Sequence, residues 1–221
     1  MGKKTFCGWA RSYAESPEIF DAFVQAEDPA GQVFESIMAA WPMEGQRVLE
    51  VGCGTGRLGA KIAKHGRTNL WVALDLSAPI LKIARKNCPQ ASLIRARSEQ
   101  LPHPDSSFDA IFSAWVFPYL RPAALQKSLA ECERVLRPGG TLWLVGNEDS
   151  GPRGTPRDEK MITLMDSGFH SVADIETELR FPDQEIARKV TRYLMGPTAP
   201  EPDARGRIPH RVYLLRRDFC E

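Results

Sequence analysis

Net charge is what this sequence lacks most: 29 Lys and Arg against 28 Asp and Glu leave a formal +1 over 221 residues. Without a bulk field, nothing draws the chain toward nucleic acid or an anionic membrane, and either partner would need a local basic patch. Long apolar runs are missing as well. The longest, Ala110 to Leu120, is broken by Ser113 and Pro118 and falls far short of the roughly 20 residues a membrane span requires. Cysteine is sparse and unpaired. Cys7, Cys53, Cys88, Cys132 and Cys220 are an odd number with no Cys-x-x-Cys spacing, which speaks against a disulfide framework or a zinc cluster and fits a reducing compartment. The opening Met1-Gly2-Lys3-Lys4-Thr5-Phe6 has no apolar signal core, and Phe6 stands where an N-myristoylation signal wants Ser or Thr. The expectation is a cytoplasmic protein without metal or membrane anchor.

What is present is ordinary globular composition, 43% apolar and 26% charged, enough to bury a full core. Two amphipathic helices are expected first, one with Ile19, Phe20, Phe23 and Val24 on a face, the other with Val33, Phe34, Ile37 and Met38 after Asp28 as N-cap and Pro29 at N1. They suggest a division into residues 1–44, a helical cap, and 45–221, the main domain. From Arg47 onward the pattern changes to short, almost wholly apolar runs (Val48–Val51, Leu70–Leu74, Ser92–Ala96, Phe108–Trp115, Thr141–Val145). Helix-period segments at Arg57–His65, Ala78–Asn87 and from Pro122 separate them. That is the signature of an α/β protein with a parallel sheet buried on both faces. Arg137-Pro138-Gly139-Gly140 reads as a tight turn closing the third of these helices.

The last third differs. A polar, Gly/Pro-rich stretch follows Gly146, then a short helix near Lys160–Met165. Ala173, Ile175, Thr177, Leu179 and Phe181 alternate with charged residues, predicting a one-faced, antiparallel strand near the sheet edge. A helix with Ile186, Val190 and Leu194, a proline-rich mobile loop over Gly196–Arg207 and a final strand, Arg211–Leu215, complete the reading. There is no internal repeat.

The chemistry lies in Arg47-Val-Leu-Glu-Val-Gly-Cys-Gly-Thr-Gly-Arg-Leu58. An apolar strand runs into three alternating glycines and then a helix, so the backbone can turn sharply and a ligand can approach without Cβ clashes. The next strand ends in Asp75, 19 residues after Gly56, where a carboxylate can accept hydrogen bonds from both hydroxyls of a ribose. The spacing is Gly-x-Gly-x-Gly, not the Gly-x-Gly-x-x-Gly that wraps a dinucleotide pyrophosphate.

Together with Asp75-Leu-Ser77, Glu99-Gln-Leu-Pro-His-Pro-Asp-Ser-Ser-Phe-Asp109 and Arg134-Val-Leu-Arg-Pro-Gly-Gly-Thr-Leu142, this segment resembles the class I S-adenosylmethionine-dependent methyltransferases. The likeness is greatest to the branch acting on small molecules and quinones, and it covers roughly residues 45–146. It implies a Rossmann-like seven-stranded sheet of order 3-2-1-4-5-7-6 with the seventh strand antiparallel, and S-adenosylmethionine as cofactor. It further implies that Gly52, Gly54 and Gly56 line the methionine and ribose portion, with Glu50 orienting the amino group, and that Asp75 holds the ribose hydroxyls. Leu76 would pack on the adenine, Ser98 and Glu99 would border its edge, and the Ser113 carbonyl would face the methionine amine. One departure is Arg97, where family members often carry an adenine-binding Asp; an arginine cannot accept a hydrogen bond.

Methyl transfer is an in-line displacement at an activated carbon, so no fixed catalytic constellation is required. Candidate bases are His103, His170, His210 and Tyr119, with Phe117 and Tyr119 expected to bind an apolar or aromatic small-molecule acceptor. Tyr13, with Trp9 and Arg11, lies in a region that in relatives folds over the cofactor. Two other readings compete: a tRNA or rRNA methyltransferase, suggested by Arg205, Arg207, Arg211, Arg216 and Arg217, and a non-catalytic cofactor-binding protein. Oligomeric state is not legible.

Overall fold

A computed structural model describes residues 8–147 and 159–219, and so leaves out most of the Gly/Pro-rich stretch after Asn147. In chain order the elements are α1 (Gly8–Glu15), α2 (Pro17–Ala26), α3 (Gln32–Ala40), β1 (Arg47–Val51), α4 (Arg57–His65), β2 (Leu70–Asp75), α5 (Ala78–Asn87), β3 (Ser92–Arg95) and β4 (Phe108–Ala114). There follow α6 (Pro122–Val135), β5 (Leu136–Asn147), α7 (Glu159–Asp166), β6 (His170–Arg180), α8 (Gln184–Met195) and β7 (Arg207–Asp218). The seven strands form one sheet of order β3-β2-β1-β4-β5-β7-β6.

The first five strands pair in parallel, and β7 runs antiparallel to both β5 and β6. The edge strand β6 therefore pairs antiparallel with its neighbour, as its alternation predicts, while β7 is the strand that reverses direction. On one face α3 and α4 cover Val48, Phe112, Trp143 and Leu214, with Trp41 stacked between Phe112 and Trp143 at centroid distances of 6.0 and 5.5 Å. On the other, Leu125, Leu129 and Leu164 of α6 and α7 cover Leu49, Ile111 and Leu144. Strands this deeply buried read as continuous apolar runs because both side-chain rows meet a helix layer. The chain order reverses between β1 and β4, which opens a crevice at their carboxyl ends.

Several expectations change. An additional helix, α1, precedes the two foreseen and places Tyr13 inside a helix. α3 starts at Gln32 behind a left-handed Gly31, not at Pro29. Asp28 still caps it, because its carboxylate accepts from the Val33 and Phe34 amides at 3.0 and 3.2 Å. Arg137–Gly140 is not a turn but an irregular opening of β5: the register with β4 jumps from Phe108↔Leu136 to Ala110↔Thr141, and Gly139, at φ +74°, bonds Phe219. Ile186 is exposed, and α8 buries Ala187, Val190, Thr191 and Leu194 instead. The proline-rich segment before β7 is tied down by Glu201, which pairs with Arg188 and Arg192, and by Gln184 donating to the Pro202 carbonyl. The basic residues of that region do not gather. β7 carries Arg207 at one end of the sheet and Arg216 and Arg217 at the other, with Arg211 paired to Asp174 and Arg216 to Asp218.

Candidate active site

At the carboxyl end of β1 the chain passes through Gly52, Gly54 and Gly56 with φ of +77°, +54° and +79°. Three alternate left-handed residues wind the loop into a crest, a conformation that disfavours any side chain. The crest is anchored from below: the Gly52 and Cys53 amides donate to the Leu74 carbonyl at 2.8 and 2.9 Å, and Gly54 donates to Asp75 Oδ2 at 3.0 Å. α4 starts at Arg57 with no side-chain cap, so its N-terminal amides face the same end of the sheet.

Asp75 is the centre of this arrangement. Its other oxygen, Oδ1, accepts from the Ser77 amide at 2.8 Å. Burial pushes its carboxyl above the ordinary range, opposed by those same amide bonds. Each oxygen keeps a second lone pair for a ligand hydroxyl. Leu76, next in sequence, is 51% exposed, an apolar face beside a carboxylate.

Over the crest lies a roof. Phe20 of α2 is the nearest group to the Cβ position of Gly54, at 3.5 Å. The Ser77 hydroxyl donates to the Tyr13 carbonyl of α1 at 2.6 Å. Tyr13 packs on Phe20 at 4.7 Å between ring centroids, and burial next to Asp75 raises its phenol.

Glu50 stands beneath the loop, not in it. Its carboxylate accepts from the Trp71 indole at 2.9 Å and lies against Gly59 of α4. This turns the side chain toward the helix layer and away from the crest, so direct contact with a ligand amine is not its place in the structure. Burial raises its pKa to about 8, assisted by Asp75 and opposed by the Trp71 bond. An acid with a raised pKa in the folded state contributes stability that is whole below its ordinary value of 4.5 and is lost as pH climbs through 8. Glu50→Gln should accordingly flatten the fall in stability between pH 5 and 8, as read from urea denaturation at three pH values. An unchanged slope would contradict a buried, protonatable carboxyl.

The remaining expected residues divide. The Ser113 hydroxyl donates to the Val51 carbonyl at 2.7 Å, clamping β4 to β1 at the crevice. Ser98 accepts from Ser128 of α6 and donates to Glu99, whose carboxylate also takes Arg97 at 2.9 Å, leaving Arg97 turned outward. Phe117 is fully buried in the core under α6 and α7, because the short 3-10 turn Phe117–Tyr119 directs its ring inward, so it is not part of an open acceptor surface. Tyr119 is 46% exposed and donates to Asn147 Oδ1 at 2.5 Å, where β4 and β5 both end. His103 packs on Phe108 at the amino end of β4, and His170 begins β6 at that same end, so neither is near the crevice.

Three residues escaped the sequence reading. Thr55 Oγ1, in the glycine loop, and Nε and Nη2 of Arg57, directly after it, are buried with no hydrogen-bond partner among the described residues. The indole nitrogen of Trp115 is in the same condition, and that residue sits at φ +55°, a strained backbone immediately after β4. Only the threonine carried a sequence signal, as the one hydroxyl inside the loop.

Residues 48–140 match the methyltransferase domain family. The chain carries a methyltransferase domain. Phthiotriol/phenolphthiotriol dimycocerosates methyltransferase 1 of Mycobacterium ulcerans (strain Agy99) is 26% identical over 248 aligned positions, covering 99% of the chain and 85% of that protein. Demethylmenaquinone methyltransferase of Tropheryma whipplei (strain Twist) is 35% identical over 152 positions, 63% of the chain and 61% of that protein. Fatty-acid O-methyltransferase of Mycolicibacterium smegmatis (strain ATCC 700084 / mc(2)155) is 34% identical over 114, covering 49% and 40%. The chain thus spans less than two thirds of the length of the latter two relatives. A crystal structure of an S-adenosylmethionine-dependent methyltransferase from Aquifex aeolicus superposes with a TM-score of 0.54 at 18% identity, covering 90% of the chain and 97% of that structure. The residues present fit S-adenosylmethionine: a crest wound on three glycines, a carboxylate with spare lone pairs and a buried hydroxyl lacking a partner among the described residues.

Proposed function

We propose that the protein transfers a methyl group to an apolar or aromatic small molecule of lipid or quinol type. The observation that carries this reading is the pairing of the glycine crest with Asp75 on one side of the crevice and the half-exposed Tyr119–Asn147 pair on the other. A bound S-adenosylmethionine supplies a methyl carbon already activated by the sulfonium. The chain's own part is to bind and orient. Asp75 accepts the ribose hydroxyls, Leu76 offers an apolar face to the adenine, with Ser98 and Glu99 near its edge, and Thr55 and the crest amides meet the methionine end. The Ser113 clamp holds β1 and β4 in register so that the crest and the segment after β4 keep a fixed separation. Glu50 supports the crest from below through Trp71 and Gly59. Helices α1 and α2 cover the donor and limit water, and are the part of the expected 1–44 cap that serves this role, while α3 packs with the sheet.

The three named relatives support the acceptor class, since their names give phthiotriol or phenolphthiotriol dimycocerosates, demethylmenaquinone and fatty acids as what they methylate. An RNA acceptor is disfavoured by the scattering of the basic residues over both ends of β7 and by their acidic partners. Calorimetry tests the donor reading: S-adenosylhomocysteine should bind and nicotinamide dinucleotides should not. Heat with a dinucleotide and none with S-adenosylhomocysteine would sink it.

Tyr119 tests the acceptor side. Tyr119→Phe removes the hydroxyl that meets Asn147 while keeping the ring, so turnover of a lipid or quinol substrate should show a raised KM or a lowered kcat, with donor Kd nearly unchanged. Loss of donor affinity instead would place Tyr119 in the wrong half of the site.

A further inference from the structure

Beyond the donor loop, buried polar atoms without partners recur at one other place. Thr177 of β6 and His210 of β7 are directly opposite one another in the antiparallel ladder, so their side chains emerge on the same face within reach of each other. Oγ1 of the first and Nε2 of the second are both buried, and neither has a hydrogen-bond partner among the described residues. Leu179, two residues along β6 on that face, forms a bridge with Glu27, and the Glu27 carboxylate lies 3.6 Å from Nη2 of Arg57. The two side chains of that pair are only 6% and 8% exposed, yet Nε and Nη2 of the guanidinium still lack hydrogen bonds. Asp28 accepts from the amides of Val33 and Phe34 and makes no hydrogen bond to Nε or Nη2 of the guanidinium. Trp115, with its own unbonded indole N–H, packs into the same face from the end of β4.

These groups share the carboxyl edge of the sheet. Val212 is the register partner of Asn147, and His210 stands two residues further out along β7, so the set adjoins the place where Tyr119 meets Asn147. Their chemistry is lopsided. The guanidinium and the indole can only donate, the hydroxyl donates as well as accepts, and burial holds His210 down to about 4, a neutral ring that donates from one nitrogen and accepts at the other. Buried donors left without acceptors are costly, and a ligand oxygen with several lone pairs answers all of them at once.

We propose that Arg57, Trp115, Thr177 and His210 form a recess that receives an oxygen of the methyl acceptor carrying negative charge, a carboxylate or a phenolate, and so selects acidic head groups on an apolar body. The proposal rests on reading the glycine crest as the donor site, and the same chemistry could come from the carboxylate of the donor's methionine.

The experiment separates these sources by using three ligands on three proteins. Wild type, Thr177→Val and His210→Leu, each checked by circular dichroism, are titrated at pH 7 with S-adenosylhomocysteine and then, loaded with it, with 2-naphthoate and with naphthalene. Wild type should bind 2-naphthoate at least tenfold more tightly than naphthalene. Either substitution should erase that preference while leaving the S-adenosylhomocysteine Kd within about twofold. The Thr177→Val change alters no volume, so its effect on the ratio keeps the test valid if His210→Leu fails to fold. Equal affinities of wild type for the two naphthalenes, a preference that survives in Thr177→Val, or a matching loss of S-adenosylhomocysteine affinity would each overturn the proposal, the last by assigning the recess to the donor. A preference for 2-naphthoate in a protein that does not bind S-adenosylhomocysteine keeps the recess and defeats only the methyl-transfer reading.

Discussion

Asp75→Ala should weaken S-adenosylhomocysteine binding by two orders of magnitude or more and lower folding stability by about 2–4 kcal/mol. The first effect follows from losing an ionised acceptor for two ribose hydroxyls, each such bond being worth about 1.5–3 kcal/mol. The second comes from what the carboxylate does for the chain itself. Gly54 and Ser77 donate their amides to its two oxygens, at 3.0 and 2.8 Å, and neither amide has another acceptor in the loop once the side chain is gone. The glycine crest would lose its tie to β2, and its three left-handed residues would lose the anchor that holds them wound. Asp75→Asn separates the two effects. Its carbonyl can replace one acceptor while its NH2 opposes the other amide, so stability should recover in part and donor affinity should not. Calorimetry and urea denaturation on the same preparations give both numbers. A folded Asp75→Ala protein that binds the ligand within threefold of wild type would remove the ribose role.

The second large effect is expected at a residue no ligand touches. A Cβ on Gly59 would stand 2.0 Å from Oε2 of Glu50. In an exposed helix, Gly→Ala stabilises by about 1 kcal/mol, and here the sign reverses. Glu50 cannot swing aside, because its carboxylate is buried between β1 and α4 and holds the Trp71 indole at 2.9 Å. Gly59→Ala must push α4 off the sheet or expel the carboxylate from its partner, at a cost of about 3 kcal/mol. Since α4 starts where the crest ends, donor affinity should fall with stability. The decisive comparison is Glu50→Ala with Gly59→Ala: the added methyl should be tolerated when the carboxylate is absent, giving strong non-additivity in a double-mutant cycle of thermal denaturation. Additive losses would mean that the two side chains do not meet.

Both residues show where the sequence was informative. Gly52, Gly54 and Gly56 were legible because a left-handed backbone admits few alternatives, and Asp75 because a carboxylate ending an apolar strand is rarely accidental. Arg57–His65 and Ala78–Asn87 appear with their expected bounds because Gly56, Gly66 and Ser77 punctuate them locally. The strand order came from the family resemblance, and the alternation along Ala173–Phe181 independently marked an edge. What could not be read depends on contacts distant in sequence. Nothing near Glu50 says that Trp71 and Gly59 will enclose it, and Phe117 looks like a surface aromatic until the turn at Val116 sends it inward. Arg57 reads as an ordinary helix-opening residue, since its partner Glu27 belongs to a different part of the chain.

The roof over the crest is joined to the rest of the molecule by pieces that are far apart in sequence. The Tyr193 hydroxyl donates to Ser16 Oγ across 177 positions, Arg11 lies over the Tyr193 ring, and Trp9, Phe23 and Phe181 pack as one cluster with α8. Contacts of such separation close late, because their loop entropy is recovered only when both ends are ordered. During synthesis the crest and Asp75 leave the ribosome well before α8 exists, so the chain has its donor loop early and its cover last. The cover should also be the first part to open in the finished protein, through local unfolding that leaves the sheet intact. Amide hydrogens of α1 and α2 would then exchange faster than those of β1 and β4, and bound S-adenosylhomocysteine would slow them selectively, making the order of assembly visible as a gradient of protection.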